Sequence, residues 1–144
     1  MLITIYTDGA SRSNPGESAS GYQMLDDKGK TLIEKEFYNG VRTNNEAEYL
    51  AIIAALEAAG NLYGLQNEIR LFSDSQLVVK QINGEFKIKG DNLKALNLKA
   101  RALAKRFQAC SLGNVPREEK HISQVDKRLN LLLDERAKKV YKPQ

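Results

Sequence analysis

The sequence has a single cysteine and a single histidine among its 144 residues, and it has no long apolar run. A lone thiol, Cys110, cannot close an internal disulfide, and it reads as a small buried apolar side chain. That suits a reducing compartment. Nothing approaches the ~20 consecutive apolar residues that a membrane-spanning helix needs. The first residues also lack the basic start, apolar stretch and small-residue cleavage site of a secretory leader. The expectation is a cytoplasmic protein without a membrane partner. Internal repeats and linkers are missing too, so residues 1–144 are expected to form one domain, long enough to bury a full core. Net charge is low at +4, which permits a polyanionic partner without requiring one.

The distribution of charge is more informative. Residues 87–106 carry Lys87, Lys89, Lys94, Lys99, Arg101, Lys105 and Arg106 against one acid, Asp91. A second basic group, Arg136, Lys138, Lys139 and Lys142, closes the chain. Either cluster alone would serve as the solvated face of a helix.

Residues 2–8 read as a strand, and "SRSNPGESAS" as turn chemistry. "GYQMLDD" and "TLIEKEFY" are strand-like runs around the hairpin turn Asp26-Asp27-Lys28-Gly29-Lys30. From Thr43 the period becomes helical: Ala47, Leu50, Ala51, Ala54, Ala55 and Ala58 recur on one face, and Gly60 is expected to end the run. "EIRLFSD" is a further strand, and "SQLVVKQING" is a short helix ending at Gly84. Residues 91–108 form a longer helix with Leu93, Leu96, Leu98, Ala100, Leu103, Ala104 and Phe107 as core candidates. "ACSLGNV" is the last strand, and Ser123 is the expected N-cap of a helix reaching about Val140. The order βββαβααβα is that of an α/β domain with a mixed sheet.

Two strands end alike, "IYTDG" and "LFSDS". Asp8 and Asp74 each close an apolar run, and they meet if the two strands are parallel neighbours, at the end where open α/β sheets gather ligands. In "RTNNEAEYLAIIAAL", Thr43 or Asn44 caps the helix. Glu46 in its first turn suits the helix dipole and is expected at the surface. Glu48 lies about 200° around the helix from Glu46. That places it near the face of Ala51, Ala55 and Leu56, where an acid needs a reason to be. Asp126, three residues after Ser123, could by itself be half of a capping box. Four carboxylates in one cleft repel, by about 4 kcal/mol per pair ~4 Å apart at an effective dielectric of 20. Cations or protons must relieve that. Oxygen-only ligands suit magnesium or manganese, and two such ions serve phosphoryl transfer to water.

"YTDGASRSNPG", "TNNEAEYLAIIAAL", "FSDSQLVVKQING" and "VPREEKHISQVDKRLN", in this order and over nearly the whole chain, resemble ribonuclease H type 1. "GEFKIKGDNLKAL" is similar to the variant that lacks a separate basic protrusion, and nothing in the sequence resembles the N-terminal hybrid-binding domain of some members. The resemblance implies an RNase H-like fold: a five-stranded mixed sheet, three antiparallel strands then two parallel, flanked by helices. It implies an endonuclease that hydrolyses the RNA strand of RNA–DNA hybrids with two Mg2+ ions, or Mn2+, and leaves 5′-phosphate and 3′-hydroxyl ends. Asp8, Glu48, Asp74 and Asp126 take the positions of the catalytic metal ligands. Asn14, Asn44 and Gln76 match positions that meet the hybrid minor groove, where a 2′-hydroxyl distinguishes RNA from DNA. Thr43 matches a position that binds a DNA phosphate. The partner implied is the hybrid duplex; no obligate protein partner is evident in the sequence, and a monomer is expected. The alternatives are a relative that also cuts double-stranded RNA and a catalytically silent hybrid-binding domain.

Three positions depart from the family pattern. Val41 stands where an arginine is frequent, with Arg42 beside it. His121 is five residues before Asp126 rather than about ten, so it is not read as the family's loop histidine, and Arg117 and Glu118 are the stronger auxiliary candidates. Val125 replaces the usual alanine before the last aspartate.

Overall fold

A computed structural model describes residues 1–140, so Lys142 of the terminal basic group lies outside the described residues. The elements are β1 (Leu2–Ser11), β2 (Gly16–Leu25), β3 (Thr31–Arg42), α1 (Asn44–Tyr63), β4 (Glu68–Ser73), α2 (Gln76–Ile82), α3 (Asp91–Lys105), β5 (Ala109–Asn114) and α4 (Lys120–Val140). Their order is the one expected. The strands form one sheet in the order β3-β2-β1-β4-β5. β2 pairs antiparallel with both β1 and β3, and β4 and β5 run parallel to β1.

Strand alternation sends side chains to two faces, each with its own core. Ile3, Ile5, Met24, Ile69 and Leu71 meet Tyr49, Ile52 and Leu56 of α1 and Ala100 of α3. On the other face Ala19 of β2 packs against Val125, Leu129 and Leu133 of α4. β2 is covered on both sides, and for that reason it is buried almost throughout. A buried polar chain ties the first layer together: Asn97 Nδ2 donates to the Tyr49 hydroxyl at 3.1 Å, and that hydroxyl donates to Gln81 Oε1 at 2.8 Å. Gln81 Nε2 in turn reaches the carbonyl of Lys87 at 3.5 Å.

Several expectations are corrected. β1 does not end at Asp8 but continues to Ser11, and β2 starts at Gly16 inside the turn-rich segment. Residues 8–11 pair with 18–21, so the ladder outweighs the local turn chemistry. α1 passes through Gly60 and stops at Gly64, whose φ of +84° favours glycine. Gly60 sits within the helix where the Phe107 ring packs closely. Leu98 is not core: it lies on the outer face of α3, 69% exposed. Ser123 does not cap α4, which starts three residues earlier; the Glu119 carboxylate accepts from the backbone N–H groups of His121 and Ile122 at 2.8 and 3.0 Å. Asp126 therefore sits in the second turn, and the capping-box reading falls. Glu46 is not a surface residue: its carboxylate accepts from Thr43 N at 2.9 Å, Thr43 Oγ1 accepts from Glu46 N at 3.2 Å, and the two close a capping box. Thr43, rather than Asn44, is thus the N-cap. Cys110 is only partly buried, packed at the edge of the larger core.

Candidate active site

β1 and β4 are adjacent and parallel, with Thr7 level with Ser73. The next residues, Asp8 and Asp74, therefore emerge side by side. Glu48 comes to them from the first turns of α1, and this meeting depends on Gly9. A Cβ at Gly9 would lie 2.4–2.5 Å from backbone atoms of Ala47 and Glu48, so only glycine lets strand and helix touch. The Gly9 backbone N–H then donates to the Glu48 carboxylate, and Ser73 Oγ donates to Glu48 Oε2 at 3.3 Å. One oxygen from each of Asp8, Glu48 and Asp74 lies within 4.8 Å of the others.

Asp126 arrives from the opposite layer by the same device. Gly21 is paired with Asp8 across the sheet. A Cβ there would fall 2.9 Å from Leu129 Cδ2 and 3.3 Å from Val125 Cγ1, so the bare glycine lets α4 lie against β2. Val125, the departure from the family's alanine, is accommodated in that contact, 2% exposed. Asp126 stands outside the tight group of three, but it lines the same cleft and its charge bears on Asp8.

The electrostatics follow from burial. Asp8 is 4% and Glu48 7% exposed. Burial first, then the charge of Asp74, pushes the Asp8 carboxyl up to about 8. Burial and the charges of Asp8 and Asp74 hold Glu48 well above the usual carboxylate range. Asp74 is also raised by burial, opposed by the Arg117 guanidinium. Without a cation, the cluster relieves repulsion by keeping protons. Two buried carboxylates and a half-buried third, with no nitrogen or sulfur donor, fit a hard divalent cation, and the same cation would lower each of these raised values.

The remaining site candidates divide. Asn14 and Asn44 are joined: Asn44 N donates to Asn14 Oδ1 at 2.9 Å, and Ser11 N donates to Asn44 Oδ1 at 3.0 Å. The loop after β1 and the start of α1 are thereby one unit at the cleft rim, with Asn44 and Asn45 lining it. Thr43 is occupied as the α1 N-cap. Gln76 is exposed at the start of α2, next to Ser75, which lines the cleft. Val41 is 66% exposed, and Arg42 is paired with Glu46 at 3.4 Å. Arg117 lines the cleft as anticipated, whereas His121 does not. Its ring stacks on Tyr6 with centroids 4.5 Å apart, and its Nδ1 lies 3.0 Å from Gln23 Oε1. The Arg12 side chain, Asn45 and Asn130 are lining residues that the sequence reading missed. Asn130 alone left a signal, standing one helical turn after Asp126 on the same face.

Comparison with known proteins agrees with this geometry. Residues 6–125 match the reverse transcriptase-like family model. Ribonuclease HI of Halobacterium salinarum is 42% identical over 115 residues, covering 80% of this chain and 57% of that protein. The chain thus spans little more than half the length of this curated relative. The crystal structure of RNase H1 from H. salinarum NRC-1 superposes with a TM-score of 0.87 at 37% identity, covering 94% of this chain and 99% of that one. LC11-RNase H1, solved in complex with an RNA/DNA hybrid, gives a TM-score of 0.86 at 35% identity over 94% of this chain and 99% of that one. By motif order, sheet topology and these likenesses, the chain belongs to the ribonuclease H type 1 family.

Proposed function

We propose that this chain is an endonuclease that hydrolyses the RNA strand of RNA–DNA hybrids, leaving 5′-phosphate and 3′-hydroxyl ends, with Mg2+ or Mn2+ as cofactor. The observation that carries the reading is the convergence of Asp8, Glu48 and Asp74, from three separate elements, on one point inside 4.8 Å. Nothing in the stability of the fold calls for it, because each acid is held against its own charge preference.

Asp8, Glu48 and Asp74 are assigned to hold the cations, with Asp126 completing the set from α4. When bound, two divalent ions supply an activated water and neutralise the charge on the leaving 3′ oxygen. The chain's own contribution is placement. Gly9 N–H and Ser73 Oγ fix the Glu48 carboxylate, so it does not swing toward solvent. Arg117 opposes the rise in the Asp74 pKa and sits where phosphate charge arrives. The joined Asn14–Asn44 rim presents amide groups to the minor groove, where the 2′-hydroxyl, both donor and acceptor, selects the RNA strand. Gln76 extends that contact, and the Thr43 hydroxyl meets a DNA phosphate. Preorganised groups of this kind contribute to the rate because they need no rearrangement at the moment of reaction. The exposed lysines of residues 87–106 supply sequence-independent attraction to the duplex. We place the activity in the cytoplasm, in a single-domain monomer; among the described residues no helix is long and apolar enough to cross a membrane.

The test is a gel of end-labelled RNA–DNA, RNA–RNA and DNA–DNA duplexes with EDTA, Mg2+ or Mn2+. Cleavage of the RNA strand of the hybrid alone, lost in Asp74→Asn while hybrid binding survives, is the expected result. Cutting of RNA–RNA would widen the substrate class. Binding without cutting in any metal would leave a silent hybrid-binding domain.

A further inference from the structure

The cleft that holds the carboxylates is also lined by two cations, Arg12 and Arg117. Arg117 faces Asp74. Arg12 is turned instead toward α4, where its guanidinium donates to Asp134 Oδ1 at 2.8 Å and to the Asn130 carbonyl at 3.0 Å. Both partners of this ion pair are open to water, 41% and 54% exposed. Such a pair is held weakly and exchanges easily for a better anion. Arg12 lines a second cavity as well, of about 400 Å3, together with Glu17, Tyr38, Leu133, Arg136 and Ala137. There the Arg136 guanidinium carbon lies 3.4 Å from the Tyr38 ring centroid, and the Tyr38 hydroxyl bonds to Glu17. A surface path therefore leaves the carboxylates through Arg12 and continues to Arg136, along a helix whose last turn adds Lys138 and Lys139.

We propose that Arg12 and Arg136 form a track for phosphates of the RNA strand beyond the cut, and that Asp134 masks Arg12 until substrate displaces it. This rests on the hybrid-cleaving reading above. The RNA strand is the occupant because Arg12 belongs to the loop after β1, whose neighbours Ser11 and Asn14 form the rim next to the carboxylates. Guanidinium groups suit phosphate through paired N–H donors, and an aromatic ring beneath Arg136 keeps its fork extended. The rival account is that Arg12 only fastens the loop to α4. The two accounts differ in the sign of one variant.

Binding of a fluorescent hybrid is measured against salt, using the full chain carrying Asp74→Asn so that the RNA stays intact. Arg12→Ala and Arg136→Ala are each expected to weaken binding about two- to fivefold at low salt. Each should also flatten the log–log salt slope by about 0.9, and Arg12→Lys should keep most of that slope. Asp134→Asn is expected to tighten binding about two- to fivefold, and the gain should vanish when Arg12→Ala is also present. If Asp134→Asn weakens binding as Arg12→Ala does, with both lowering the melting temperature, Arg12 is a fastener and the track is refuted. A gain that persists without Arg12, or slopes unchanged in both arginine variants, refutes it too. A parent chain that shows no salt-dependent hybrid binding overturns the functional reading itself, and the track with it.

Discussion

Replacing Asp8 by Asn should make the metal-free protein more stable, and increasingly so as pH rises. The ligand oxygens of Asp8, Glu48 and Asp74 lie within 4.8 Å of one another. At that separation two unit charges repel by about 3.5 kcal/mol at an effective dielectric of 20, so an ionised Asp8 faces about that much from Asp74, on top of the cost of its burial. The wild-type protein avoids the cost by protonation: burial first, then the charge of Asp74, raises the Asp8 carboxyl from 3.8 to about 8. At about 1.4 kcal/mol per pH unit, that rise caps the penalty at about 6 kcal/mol. Burial accounts for the larger part of that figure and repulsion for the rest, and water in the open cleft brings the net effect to about 3 kcal/mol. The sign follows from linkage. Between the unfolded and folded values of Asp8 the native state binds more protons than the unfolded chain, so the Asp8 contribution to wild-type stability falls from about pH 4 to about pH 8. The amide of the Asp8→Asn variant does not ionise, so the variant loses Asp8's share of that fall and keeps the smaller one from Glu48 and Asp74. Melting in EDTA should therefore give nearly equal midpoints near pH 4 and an advantage on the order of 10 °C for Asp8→Asn near pH 9. Millimolar Mg2+ at pH 8 should raise the wild-type midpoint and leave that of the variant nearly unchanged. A gap that does not grow with pH, or a variant less stable than wild type at pH 9, would refute the claim that these acids are held together against repulsion.

Other outcomes are open to equally direct measurement. Gly9→Ala places a methyl against the α1 backbone and should cost at least about 1–3 kcal/mol in urea unfolding, with cleavage abolished because Glu48 is displaced. His121→Ala should leave turnover close to wild type, since its ring is engaged with Tyr6 and Gln23; removing a true general acid or base would cost about 10²–10⁴-fold. Tyr49→Phe strips the hydroxyl that joins Asn97 to Gln81, and calorimetry should show a loss of about 1–3 kcal/mol for the buried groups left unpaired. Changing Lys87, Lys89 and Lys94 together to Gln should flatten the salt dependence of hybrid binding by up to about 0.9 for each phosphate no longer neutralised.

The residue string alone determined the order of the elements, because strand alternation, the alanine-rich helical period and the turn residues are local properties. It also singled out Asp8, Glu48 and Asp74, since a carboxylate placed among apolar positions has few structural excuses. Local rules misled where distant partners intervened. The serine-rich segment after Pro15 became strand because β1 and β3 flank it, and Glu119 displaced Ser123 as the cap of α4. Only the tertiary structure decided that the acids converge. Their meeting depends on two glycines, Gly9 and Gly21, whose missing Cβ atoms let α1 and α4 touch the sheet from opposite faces. The same holds for Arg12, an exposed loop arginine by sequence, which acquires a role only because Asp134 of α4, far along the chain, is brought beside it. Spacing along a chain reports which face a side chain takes within its own element. Which faces then meet is settled by how closely the backbones can approach.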